Sequence, residues 1–141
     1  MTVVLGGGHE ASFASHRGAY EALGPLQVIN FDAHFDLRTE TRPTSGTPFK
    51  QIAGLVGEDF DYSVFGISKP NNTKVLFDTA DELGVTTVLD TELAEMTVRE
   101  AAERALADAA VFPVRSFTKH FRDEFVHYIE HGGPMKPNKW C

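Results

Sequence analysis

Up to residue 89, short apolar runs alternate with segments of helical length, and this alternation constrains the chain more than any other feature. Residues 3–5 (Val-Val-Leu) run into Gly6-Gly7-Gly8 and read as a buried strand ending in a flexible loop. Residues 26–31 are nearly all apolar, as expected of a strand covered on both faces. Residues 62–67 and 85–89 make a third and a fourth strand. Between them, residues 10–23 read as a helix stopped by Gly24-Pro25, and Pro48 suits a first helical position before Phe49, Ile52 and Leu55. A further helix spans residues 73–83, with Val75, Leu76, Ala80 and Leu83 apolar and Gly84 as its stop. Strands separated by helices of this length pair in parallel, so the expected fold is α/β, a short parallel sheet with flanking helices.

Beyond residue 97 the pattern changes to helices alone. Thr97-Val98-Arg99-Glu100 fits a capping box, opening a helix that runs to about residue 110 before Pro113. Residues 114–131 read as a second helix with Phe117, Phe121, Phe125, Val126 and Ile129 on one face, ended by Gly132-Gly133-Pro134. The expected organisation is therefore residues 1–98, a helical segment over 99–131, and a flexible tail over 132–141. His120, His127 and His131 stand on a polar helix face without a carboxylate partner and read as solvated. A net charge of −7 gives no electrostatic footprint for nucleic acid or an anionic membrane. The single Cys141 excludes an internal disulfide, no apolar run is long enough to span a bilayer, and the N-terminus lacks a signal-peptide pattern. The expected setting is the cytoplasm.

The chemistry concentrates where the second apolar run ends. Asp32, His34 and Asp36 are spaced by two, so in extended backbone their side chains fall on one side and converge. The carboxyl end of a strand is where open α/β sheets place their sites. His9 stands at the end of another expected strand, after three glycines that let backbone approach a ligand closely. Carboxylate oxygens combined with imidazole nitrogens suit Mn²⁺ or a similar divalent ion. An aspartate bridging two ions about 3.5–4 Å apart supports a water of lowered pKa between them. The alternative is a set of solvated loop acids with a stray histidine, and the strand and the Gly-rich His loop before it weigh against that.

Gly6-Gly7-Gly8-His9-Glu10, Asn30-Phe31-Asp32-Ala33-His34-Phe35-Asp36-Leu37-Arg38 and Ser45-Gly46-Thr47-Pro48-Phe49 together resemble the ureohydrolases, the family of arginase, agmatinase and formimidoylglutamase. The Leu-Arg after the last aspartate and the Ser-Gly-Thr-Pro-Phe segment are most similar to formimidoylglutamase, and the resemblance covers about residues 2–98. It implies a partial arginase-like fold and hydrolysis of N-formimino-L-glutamate to glutamate and formamide, with two Mn²⁺ ions. By that resemblance His9 and Asp36 bind one ion, His34 the other, and Asp32 bridges both. The nucleophile is then a metal-bound water rather than a side chain. Arg38 would pair with the substrate carboxylate, and Ser45 stands where arginases and agmatinases place a His. A Ser hydroxyl there orients substrate but is a poor general base. The bland readings are a surface Arg38 and an ordinary loop Ser45.

Four of the six ligands that the resemblance implies are present; no later Asp-x-Asp segment follows residue 98. A half-built pair leaves the attacking water poorly activated. Residues 105–131 instead resemble the C-terminal end of the NADH-binding flavoprotein subunit of respiratory complex I, with Arg104 where that family has a cluster-ligating Cys. The combination reads as a truncated or fused ureohydrolase. Its rivals are a non-catalytic fragment that binds metal weakly and a helical interaction module built on Phe117, Phe121 and Phe125. Apolar strand edges without neighbours imply homo-oligomerisation or aggregation.

Overall fold

The computed structural model describes residues 3–109, and their elements follow the expected alternation. In chain order they are α1 (Ala11–Leu23), β1 (Gln27–Phe31), α2 (Pro48–Val56), β2 (Asp61–Ile67), α3 (Lys74–Glu82), β3 (Thr86–Leu89), α4 (Asp90–Glu95) and α5 (Val98–Ala109). The chain divides into two compact units after Asp90, and the sheet with every candidate site residue lies in the first. The three strands form one parallel sheet in the order β1-β2-β3. Gln27 to Phe31 pair in register with Asp61 to Phe65.

β2 is the sheet's centre, and its sequence shows why. Val64, Phe65 and Ile67 are at most 1% exposed, whereas β1 at the edge is only half-buried. Gly66 takes φ +98°, a value open to glycine, and the pairing with β3 shifts register there. That shift returns Ile67 to the face of Tyr62 and Val64. On this face α2 packs through Phe49, Ile52 and Val56, α3 through Leu76 and Ala80, and the loop after β1 through Phe35 and Leu37. Pro48 opens α2 as its fixed φ and missing N–H allow. Gly24 and Gly84 leave their helices with φ of +84° and +68°.

In the second unit, the Thr97–Glu100 capping box forms as its spacing predicts. Thr97 N–H donates to Glu100 Oε2 at 2.8 Å, and Glu100 N–H donates to Thr97 Oγ1 at 3.3 Å. Helix α4 has no counterpart among the sequence expectations. The second helix expected over 114–131, its phenylalanines, its histidines and the tail over 132–141 lie outside the described residues, as does most of the segment likened to the flavoprotein subunit.

Two expectations for the strands are corrected. Residues 3–5 form no strand, and Leu5 is 91% exposed. A strand exists only by pairing, no described strand lies beside this run, and Gly6 and Gly7 (φ +87° and +89°) turn the chain out of extended conformation. β1, expected to be covered on both faces, is an edge strand whose Phe31 is 53% exposed.

Ile52 is 1% exposed in the centre of this core. Truncation to Ala is expected to remove about 2–5 kcal/mol of unfolding free energy, measurable by urea titration. His16 generates a second prediction. Burial holds its imidazole below its ordinary 6.5, against the Leu26 carbonyl bond that favours the charged form, and its Nδ1 has no partner among the described residues. The unfolded chain therefore takes up this proton first, so stability falls as pH drops through 6.5. Between about pH 7.5 and about pH 5.5 the wild type should lose more melting temperature than His16→Phe, which keeps the stacking on Tyr20.

Candidate metal centre

His9 is placed by the turn that starts α1. Ala11 and Ser12 N–H groups donate to the Gly8 and His9 carbonyls at 3.1 and 3.0 Å, so the histidine lies in the first bonded turn entering the helix. From there its ring makes a T-shaped contact with Phe49 in α2, 5.2 Å between centroids at 83°. Phe49 in turn stacks on Tyr62 of β2 at 4.3 Å. An unbroken aromatic contact thus runs from the centre of the sheet to the His9 imidazole.

The three other residues come from the loop that follows β1. Asp32 N–H still pairs with the Phe65 carbonyl at 3.1 Å, but at Ala33 and His34 the chain bends away from the strand. Phe35 and Leu37 are buried to 0% and 1%, while Asp32, His34 and Asp36 face outward, so the expected alternation survives in burial. Its cause differs from the one read in the sequence. The loop is not extended throughout, because Asp36 has φ +51°, the left-handed region that only Asn, Asp and Gly enter at modest cost. That turn is pinned where Phe49 N–H donates to the Asp36 carbonyl at 3.3 Å and Arg38 N–H to Gly46 O at 2.9 Å.

His9, Asp32 and Asp36 come together, each offering an atom within 4.8 Å of the others. His9 Nδ1 donates to Asp36 Oδ2 at 2.6 Å and lies 3.3 Å from Asp32 Oδ2. His34 is outside this group: its Nδ1 lies 3.4 Å from Asp32 Oδ1, and its N–H donates to the same oxygen at 2.9 Å. The two carboxylate oxygens of Asp32 therefore face different histidines. Burial pushes the Asp36 carboxyl above its ordinary range, the His9 hydrogen bond opposing this and the Asp32 charge adding to it. Negative charge gathered in a partly desolvated place is the condition that a cation relieves.

His34 and Asp36 also line a cleft of about 320 Å³, and its other walls include Arg38, Ser45 and Gly46. Arg38 and Ser45 are both exposed to it. The Arg38 stem lies against Gly46, where an added Cβ would come within 3.1 Å of Arg38 Cδ, so the glycine leaves the arginine its room.

Sequence reasoning missed the residues that hold the loop. Tyr62 accepts from Asn30 Nδ2 at 3.1 Å and donates to the Phe35 carbonyl at 3.2 Å. Burial pushes its phenol far above the usual range, against the Asn30 bond, so the hydroxyl stays a donor. Asn72 reaches Ala33 and Phe35 from the turn after β2. Tyr62 was legible only as an apolar strand residue and Asn72 only as a loop polar; a bond between elements leaves no periodic trace.

This fold and site define the class: the chain belongs to the arginase family, whose model matches residues 1–114. Within it, 108 residues are 56% identical to the formimidoylglutamase of Corynebacterium efficiens, covering 76% of this chain and 34% of that one. The formimidoylglutamase of Nocardia farcinica is 43% identical over 111 residues, covering 75% and 36%. Among solved structures, Trypanosoma cruzi formiminoglutamase with Mn²⁺ matches at a TM-score of 0.65 and 25% identity, covering 74% of this chain and 37% of that one. The Bacillus subtilis formimidoylglutamase shares the fold at a TM-score of 0.67 and 24% identity, covering 74% and 33%. The chain spans about a third of the length of the curated relatives it matches.

Tyr62→Phe keeps the stacking on Phe49 and removes one hydroxyl, leaving the Phe35 carbonyl and the Asn30 amide short of a partner. Denaturant titration is expected to show a loss of about 1–3 kcal/mol.

Proposed function

We propose that this chain carries the first part of a Mn²⁺ centre that splits N-formimino-L-glutamate into glutamate and formamide. The observation that carries the reading is the convergence of one imidazole nitrogen and two carboxylate oxygens within 4.8 Å, in a chain of the arginase family. That donor set suits Mn²⁺ and offers no thiolate. His9, Asp32 and Asp36 would hold one ion. His34, on the other oxygen of Asp32, would serve a second, with Asp32 between them. Bound metal supplies Lewis-acid polarisation of the amidine and a water acidic enough to attack at neutral pH.

The chain's own residues orient the substrate. A glutamate carboxylate entering the cleft beside His34 and Asp36 meets the Arg38 guanidinium, which can grip it with two parallel N–H donors. The Ser45 hydroxyl across the same cleft can hydrogen-bond the substrate but is itself a poor general base. The relatives named formimidoylglutamase support the choice of substrate. Among the described residues no helix is long and apolar enough to cross a membrane, and the cytoplasm is the proposed setting.

A second reading, metal binding without turnover, is favoured by the single three-residue metal group among the described residues. Titration of the purified chain with Mn²⁺, followed by assay of formamide release from formiminoglutamate, separates the two. Turnover abolished by Asp32→Ala is the expected result. Mn²⁺ uptake without release of formamide establishes the second reading, and no uptake at all sinks both. In an active chain, Arg38→Ala should raise KM roughly 10- to 100-fold, as loss of a charge-assisted bond does, with a smaller effect on kcat.

A further inference from the structure

We infer that Asn72 is a positioning residue that holds the ligand loop in its metal-accepting shape before an ion binds, an inference that rests on the metal reading above. Pairing of β1 with β2 ends where Asp32 N–H meets the Phe65 carbonyl and Ser68 N–H meets the Ala33 carbonyl, each at 3.1 Å. Beyond that point the loop has no strand beside it, and the side chain of Asn72 takes the strand's place. Its Oδ1 accepts from Phe35 N–H at 3.1 Å, and its Nδ2 donates to the Ala33 carbonyl at 2.8 Å and the Ser68 carbonyl at 2.9 Å. Only the oxygen can satisfy Phe35 N–H, so the network itself sets the orientation of the amide.

The spacing of these bonds gives them their effect. Ala33 and Phe35 are two apart and alternate with Asp32, His34 and Asp36. Fixing the backbone at Ala33 and Phe35 therefore aims His34 between them and constrains Asp32 and Asp36 on either side. Asn72 is 8% exposed, and all three amide bonds go to main chain. It follows the 3-10 turn Lys69–Asn71, which delivers it to the loop from the end of β2. Aspartate at this position keeps the acceptor and loses both donors; alanine loses all three bonds. A loop already held in shape spares the ion the ordering cost, which is why outer positions of metal sites act on affinity.

The test compares the wild type with Asn72→Ala and Asn72→Asp by two measurements. Amide hydrogen exchange on the metal-free chain should show Phe35 N–H protected in the wild type as strongly as the β1–β2 ladder amides. It should be exposed in Asn72→Ala and retained in Asn72→Asp. Mn²⁺ titration followed by electron paramagnetic resonance should show affinity weakened roughly 10- to 100-fold in Asn72→Ala, and less in Asn72→Asp, with β2 amides still protected. A variant with a lowered melting temperature but an unchanged Mn²⁺ affinity would overturn the inference, as would a freely exchanging Phe35 N–H in the wild type. Should Asn72→Ala fail to fold, the wild-type exchange and Asn72→Asp still decide. Should the wild type take up no Mn²⁺, the metal reading fails, and with it the functional role, while the exchange data alone report whether Asn72 clamps the loop.

Discussion

Where β1 ends, the chain must leave the sheet without leaving its peptide groups unpaired, and most of the site's geometry answers to that requirement. A buried N–H or C=O without a partner costs as much as a lost hydrogen bond. In the loop after β1 these groups find partners in Ser68, Asn72 and Tyr62, drawn from β2 and the turn beyond it. Meanwhile Phe35 and Leu37 are driven into the core, which leaves Asp32, His34 and Asp36 on the outer side. Hydrophobic burial chooses the face, and backbone pairing chooses the path.

The same economy governs His9. Three glycines cannot position a side chain, since they add freedom rather than remove it. The imidazole is aimed by what it touches: the first turn of α1, the Phe49 ring and the Asp36 carboxylate. Phe49 also lies in the first turn of α2, and its N–H donates to the Asp36 carbonyl at the left-handed turn. One aromatic residue thus braces a histidine and a strained aspartate contributed by separate segments. Strain of this kind, about 1–3 kcal/mol, persists only where the surroundings over-determine it, and such places cluster at functional sites.

The site has two sides with different chemistry. Toward His9 the donors are close and partly buried, with burial and the Asp32 charge raising the Asp36 pKa against the bond from His9. Toward the cleft, His34, Arg38 and Ser45 are exposed and make no contact that fixes them on one another. The first arrangement suits an ion that must be gripped, the second a substrate that must come and go. Asp32 belongs to both, because its two oxygens face His9 and His34.

Much of this was legible in the sequence. Except for α4, the helices and the three strands of the sheet lie within a residue or two of where periodicity, Gly24, Pro48 and Gly84 place them, since these signals are local. The capping box at Thr97 and Glu100 is legible for the same reason. The candidate ligands stand out because their spacing matches the alternation of buried and open positions along the loop. What the sequence did not disclose depends on neighbours distant along the chain. Residues 3–5 carry every local mark of a strand, yet none of the described strands pairs with them. β1 looks doubly covered in composition, and its place at the edge follows only from the strand order. That His34 stands apart from the other three, and that Asn72 and Tyr62 hold the loop, follows from hydrogen bonds spanning 27 to 39 residues. Composition and spacing determine which residues can serve as ligands and which face they share; only tertiary contacts decide which of them meet, because convergence is set by the partners of the backbone between them.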